Sequence, residues 1–280
     1  MIPSLRQVLV HLDATRAATY RLEAARRIAQ QHGAALAALY AVTPRFLELP
    51  YAPELGPTFA AELVRIDEER RASTLKAFEE TMRAPGPVAT WSQANEFPII
   101  GSVARQALYA DLLVLGQHDR ADEASTAVPP DFVESVLLGS GRPAVVIPYV
   151  GWSGEIGMSV AVAWKETPEA ARAVTAAMPI LKKASRVHVL TWGYETEPLF
   201  GGHVLGLEAY LRLHGVTATW HQGGPEPDAI GELLLSRACD VGADLLVMGC
   251  YGHSRAREWI LGGATRTILQ SMTLPVLMAH

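Results

Sequence analysis

The strongest constraint on this chain is that part of it is written twice. Residues 110–116 read Ala-Asp-Leu-Leu-Val-Leu-Gly and residues 243–249 read Ala-Asp-Leu-Leu-Val-Met-Gly, matching at six of seven positions across an offset of 133. Each copy is followed by a polar loop, a helix-like stretch and an apolar run opened by proline, Pro143-Ala-Val-Val-Ile147 in one case and Pro275-Val-Leu-Met-Ala279 in the other. The starts also correspond: Gln7-Val-Leu-Val-His-Leu-Asp13 matches Ser159-Val-Ala-Val-Ala-Trp-Lys165. Apolar strands resemble one another by chance, but chance does not keep four segments in the same order. The sequence therefore reads as a duplicated unit. At 280 residues the chain fits two domains, each long enough to bury its own core. The Trp-Ser-Gly stretch between Val150 and Gly157 is punctuated by glycines and marks the boundary, giving domains 1–150 and 151–280.

Within each half, short apolar runs alternate with segments of helical periodicity. In the first, residues 7–12 read as a strand, Ala17 to His32 as a helix closed by Gly33, and Ala35 to Val42 as a second strand. A Pro-rich loop (Pro44, Pro50, Pro53, Pro57) leads to a long helical pattern over 60–83, then a third strand at Val88 to Gln93. Ile99, Ile100, Val103, Ala104 and Ala107 form a helical stripe, and Leu112–Leu115 and Ala144–Ile147 are the last two strands. In the second half, Ile230, Leu233, Leu234, Ala238 and Val241 share one helix face, which places Cys239 in the core. Strands that read as continuous apolar runs between helices are buried on both faces, hence parallel, and right-handed crossovers wrap helices onto both sides. The expected class is α/β: two doubly wound, Rossmann-like domains in tandem, each a five-stranded parallel sheet of order 3-2-1-4-5.

Composition narrows the function. The chain is 49 % hydrophobic and 19 % charged with a net charge of −5, so it offers no basic footprint for nucleic acid or an anionic membrane. No apolar run approaches the roughly 18 residues that span a bilayer. The opening Met-Ile-Pro-Ser-Leu-Arg lacks the features of a secretory leader, and two cysteines, Cys239 and Cys250, make no disulfide framework, so a cytoplasmic location is expected. The nine histidines are scattered, with no paired metal-ligand spacing, and no metal is expected.

In an open α/β sheet, ligands sit beyond the carboxyl ends of the strands where the strand order reverses. The loop after the fourth strand of the second half reads Gly249-Cys250-Tyr251-Gly252-His253-Ser254, and Gly262-Gly263-Ala264-Thr265 opens the last helix. Gly249 and Gly252 suit a turn with positive φ and a close backbone approach. Gly262 and Gly263 bare helix N-terminal amides that favour an anion, with Thr265 as a hydroxyl donor and His253 in the loop. Equally, these glycines suit a tight loop and a close helix–sheet contact. The spacing alone leaves both open.

Gly-x2-Gly-x9-Gly followed by a small residue resembles the phosphate-binding signature of the ATP-binding universal stress proteins. Gly249, Gly252 and Gly262 carry it, with Gly263 where that family usually has Ser or Thr. The Val-Leu-Val-His-Leu-Asp start, the Ala-Asp-Leu-Leu-Val-Met-Gly strand and the Pro-Val-Leu ending are similar to the same family, over nearly the whole chain and in two copies. The resemblance implies pairing of the two domains through their last strands, adenosine held near a strand-one Asp, and triphosphate on the glycine loop. Both halves depart from it. The first keeps Asp13 but has Gly116-Gln117-His118-Asp119, with Asp in place of the second Gly, and Pro129-Pro130-Asp131 before its last helix. Proline removes amides that phosphate needs and the two acids repel it, so this half is expected to have lost triphosphate binding. The second keeps the glycines but replaces the strand-one Asp by Lys165, which accepts no hydrogen bond and is either a phosphate contact or a solvated surface lysine. Trp164 and Trp192 end the first two strands there and suit either stacking on a base or packing.

Catalytic signatures are missing: there is no Walker loop, no Gly-x-Gly-x-x-Gly and no Gly-x-Ser-x-Gly. Three functions stay in play. The first is a non-enzymatic stress-response module holding ATP or another adenine nucleotide in its second domain. The second is a ligand-free scaffold for a protein partner, and the third a slow ATP hydrolase. Either a monomer, with its domains paired internally, or a homodimer is compatible with the sequence. The Pro-rich 44–57 segment is a surface excursion or a partner surface, and Asp67-Glu68-Glu69-Arg70-Arg71 a solvated helix face.

Overall fold

A computed structural model describes residues 4–48, 56–193, 205–225, 227, 229–250 and 263–280. It divides into two compact units, residues 4–153 and 154–280.

The first unit runs β1 (Gln7–Leu12), α1 (Ala17–His32), β2 (Ala35–Tyr40), α2 (Arg45–Glu48), α3 (Pro57–Met82), β3 (Ala89–Gln93), α4 (Ile99–Ala107), β4 (Leu112–Gly116), a 3-10 turn (Glu123–Ala127), α5 (Phe132–Ser140) and β5 (Ala144–Ile147). Its strands are all parallel in the order β3-β2-β1-β4-β5. Residues 8–12 of β1 and Leu112–Leu115 are buried, as a central strand covered on both faces requires. Alternate side chains of β1 meet different layers: the His11 ring lies 4.4 Å from that of Phe132 in α5, while α1 packs across β1, β2, β4 and β5. Gly33 ends α1 in the left-handed conformation, φ 61°, with its N–H turned back to the carbonyls of Ala29 and Gln30. The long helix starts at Pro57, three residues before its apolar pattern, because proline suits the first helical turn.

The second unit repeats the plan with β6 (Ser159–Trp164), α6 (Pro168–Leu181), β7 (Arg186–Thr191), α7 (Leu207–Leu213), β8 (Thr219–Gln222), α8 (Ile230–Asp240), β9 (Leu245–Gly249), α9 (Ala264–Ser271) and β10 (Val276–Ala279). Its parallel strands are ordered β10-β9-β6-β7-β8, the same 3-2-1-4-5 arrangement. Thr167 caps α6 by accepting from the Ala170 N–H at 3.3 Å, just ahead of Pro168.

Two expectations need correction. Cys239 is exposed, not core. The buried stripe of α8 is Gly231, Leu234 and Ala238, and one residue past Ala238 the helix has turned by about 100° toward solvent. Gly231 belongs to that stripe because a Cβ there would sit 2.8 Å from Cβ of Thr267 on α9. The charged stretch of α3 is also not wholly solvated. Arg70 reaches Glu48 of α2 at 3.3 Å with both side chains largely covered, and Asp67 accepts from the Arg45 N–H at 3.0 Å.

The repeated aspartate has a structural task. Asp111 Oδ2 accepts the N–H groups of Arg6 (2.8 Å) and Gln7 (2.9 Å) where β1 begins. Asp244 accepts those of Gly157 (2.7 Å), Met158 (3.0 Å) and Ser159 (2.9 Å) at the start of β6. Amides at the mouth of a central strand otherwise face burial without a partner. Asp111→Ala is expected to destabilise the first unit by about 2 kcal/mol, read from the urea midpoint.

Candidate functional site

At the carboxyl end of β1 the chain closes over its own crevice. Asp13 is 3 % exposed. Its Oδ1 lies 2.6 Å from Arg21 Nη2 and accepts from the Thr15 N–H (2.9 Å) and hydroxyl (2.5 Å). Arg21, one full turn into α1, is equally buried and also reaches the Thr15 hydroxyl at 3.3 Å. The arginine lies over Gly116, where a Cβ would come 2.7 Å from its Cδ. Gly116 is therefore required by the arginine, not by a bound phosphate or a left-handed turn. Around this pair the loops are stitched. The Thr43 N–H after β2 donates to Ala127 O after β4 at 2.7 Å, passing over the end of β1, and the Thr74 hydroxyl of α3 donates to Asp13 O at 3.2 Å.

What remains is a cavity of about 20 Å³ lined by His11, Asp13, Arg21, Gly116, Asp119 and Phe132, among others. That is room for about one water and far too little for a nucleoside. Asp119 turns back on its own loop, accepting from the Ala121 N–H at 2.9 Å. The last helix opens after Pro129-Pro130-Asp131, and Gly139-Ser140 lies at its far end.

Burial sets the protonation of this cluster. His11 is 1 % exposed and its Nε2–H donates to Ala41 O at 2.8 Å. Desolvation, which outweighs the nearby Asp13 charge, lowers its pKa from 6.5 to about 4, so the ring is neutral. Burial alone would raise the Asp13 pKa, but Arg21, His11 and Thr15 together hold it down at about 2.

In the second unit the equivalent crevice is built differently. Lys165 stands where Asp13 stands in the first, and it is exposed after a half-buried Trp164. Gly249 ends β9 directly under the first turn of α6, where a Cβ would lie 2.5 Å from the Ala170 nitrogen. Its φ is not left-handed, so close helix–strand approach, and not a positive-φ turn, is what demands glycine. Gly263, with φ −51°, is the N-cap of α9, and Thr265 is buried at 3 % exposure in that helix. Gly252, His253 and Gly262 lie outside the described residues. Trp192 packs on Gly223, where a Cβ would collide with its indole. Cys250 is buried behind β9.

Glu169, which sequence patterns gave no reason to single out, sits beside Gly249, its Cβ 2.8 Å from the position a glycine Cβ would take. Its Oε2 is shielded from solvent with no hydrogen-bond partner, and Oε1 is 3.9 Å from Arg172. Among the described residues no group of three or more potential metal ligands gathers, and no helix is long and apolar enough to cross a membrane.

No family model and no curated protein matches this chain. Solved structures do. The chain is similar to a universal stress protein from Archaeoglobus fulgidus DSM 4304, with a TM-score of 0.67 and 15 % identity over 98 % of this chain and 95 % of that one. It is also similar to a protein of unknown function from Pseudomonas aeruginosa PAO1, with a TM-score of 0.58 and 16 % identity over 99 % and 92 % of the two chains. The class is thus a tandem α/β chain. Its fold is that of the universal stress proteins.

Two outcomes test the closed crevice. Arg21→Met leaves a buried carboxylate without its cation and is expected to cost about 3–5 kcal/mol. Asp13→Asn combined with Arg21→Met is expected to cost less than Arg21→Met alone, in urea unfolding. Acid gives the second test. Unfolded His11 takes up a proton below its usual pKa of 6.5 that the folded ring refuses until about 4, so stability falls across that window. Asp13 adds a second fall from 3.8 to about 2, where its ion pair is lost. The two legs together amount to about 5 kcal/mol in urea midpoints measured between neutral pH and pH 2. The first leg is expected to vanish in His11→Gln.

Proposed function

We propose that this chain is a non-catalytic universal stress protein of the cytoplasm, in which adenine nucleotide, ATP or a relative, binds to the second unit alone. The observation that carries this reading is the asymmetry between the two crevices. In the first unit Arg21 fills the space above Gly116, pairs with Asp13 and leaves about 20 Å³. In the second, Ala173 occupies the helix position of Arg21 and Lys165 that of Asp13. Gly249, Gly252, Gly262 and Gly263 supply a phosphate cradle of backbone amides, with Lys165 and His253 as cationic or donor groups. Thr265, buried in α9, acts by supporting that helix. The half-buried Trp164 gives a flat face for the base. Binding, not turnover, is the activity in this reading, as the sequence carries no Walker loop and no nucleophile elbow.

A second reading, a ligand-free scaffold for a protein partner, is favoured by one observation. Gly249 is already accounted for by α6, whose acidic Glu169 has its Cβ beside that glycine and its Oε2 shielded from solvent. A triphosphate there meets a negative charge.

Calorimetric titration with ATP, together with mass spectrometry of small molecules released from the purified chain, separates the two. Nucleotide binding predicts micromolar-class affinity that Gly252→Asp weakens at least about tenfold while the fold survives. Equal affinity in that variant places the ligand elsewhere, and no binding in either favours the scaffold.

A further inference from the structure

Away from either crevice, two histidines that are 33 residues apart in sequence meet on the second unit's sheet. His188 is the third residue of β7 and His221 the third of β8, and the parallel register sets His188 opposite Thr219 and Leu190 opposite His221. The two histidines are thus diagonal neighbours on one face of adjacent strands, within reach of each other. His188 Nδ1 and His221 Nε2 approach to 3.0 Å, with the ring planes at 46°. Strand β8 is the edge of its unit's sheet order, and both imidazoles are partly open to solvent.

We propose that His188 Nδ1 and His221 Nε2 form a two-imidazole chelate for a divalent transition ion of the Ni²⁺, Cu²⁺ or Zn²⁺ class. The spacing is the main support. Imidazole nitrogens at cis positions of an octahedral ion, each about 2.1 Å from the metal, lie about 3.0 Å apart, and on a tetrahedral ion about 3.4 Å. At 3.0 Å the two nitrogens share a hydrogen bond, and metal binding replaces its proton and turns the rings to aim both lone pairs at one ion. Two nitrogens this close share one proton at most. Burial, with His221 and Arg186 adding to it, lowers the His188 pKa and keeps that ring neutral, the form that binds metal.

The surroundings fix the limits of the site. Arg186, two residues earlier on the same face of β7, is the nearest charge on that strand and disfavours a proton on His188 as it would an added cation. Ligation through Nδ1 leaves the N–H of His188 on Nε2, which is buried without a partner, and this holds the affinity to a moderate value. With no third protein ligand among the described residues, water completes the shell. Imidazole, not carboxylate, defines the site, so Mg²⁺ and Ca²⁺ are excluded.

The test is calorimetry of Ni²⁺ added to the 280-residue chain at about pH 7.5, repeated with His188→Gln and His221→Gln. The expected result is a single-site binding step that either substitution weakens at least about tenfold and that weakens as the pH is lowered, because protons compete with the metal for the imidazole nitrogens. Mg²⁺ is expected to give no heat. Each variant is checked by its metal-free melting curve. Should His188→Gln fail to fold, His221→Gln, on the edge strand, decides alone, and His221→Cys is expected to restore binding. Unchanged Ni²⁺ affinity in the folded variants, or no binding step in the parent chain, overturns the proposal.

Discussion

Each unit depends on how its central strand is gripped at the amino end. Asp111 holds the entry to β1 and Asp244 the entry to β6, each from the residue just before the neighbouring strand of the central pair. A carboxylate accepting two or three main-chain amides ties the entry of β1 to the start of β4, and that of β6 to the start of β9, in the register the strands adopt. With that pair set, the crossovers can lie only to either side, and the crevice falls at the opposite, carboxyl ends. The aspartate inside the repeated Ala-Asp-Leu-Leu-Val segment is therefore retained by the architecture and has no part in holding a ligand.

On this shared frame the two crevices have taken different chemical courses, as expected where function resides in residues set on a fold and not in the fold itself. In the first, a buried carboxylate is kept ionised by a buried guanidinium, and the loops around it bond to one another. In the second, a lysine replaces the acid at the surface and the helix N-terminus presses onto the glycine. The same glycine position, Gly116 or Gly249, is thus demanded twice for unrelated reasons: an arginine side chain in one unit and a helix backbone in the other.

Much of the fold was legible because it is periodic. Continuous apolar strands, the stop at Gly33 and the order of the repeated segments imply the five-stranded parallel plan in both halves. The site was less legible. Arg21 looks like an ordinary helix arginine, yet it lies on the stripe formed by Ala18, Leu22, Ala25 and Ala29, all buried, and that position was the available signal. Cys239 was misplaced because the helix stripe is centred on small residues, Gly231 and Ala238, whose contribution to an apolar face is weak in sequence. The His188–His221 contact depends on strand register across 33 residues, which no local pattern encodes. The charged run at 67–71 was read as solvent-facing because its partners on α2 are distant in sequence.

The buried pair in the first unit also constrains which sequences can follow this one. Losing Arg21 strands a carboxylate, and losing Asp13 strands a guanidinium pressed against a residue with no side chain. Each single step costs more stability than the paired change would, so the two positions are energetically coupled. Gly116 is held in the same lock, since any larger residue must first wait for the arginine to go. No single substitution among these three reopens the crevice without a cost to the fold, so this half's crevice is committed to architecture.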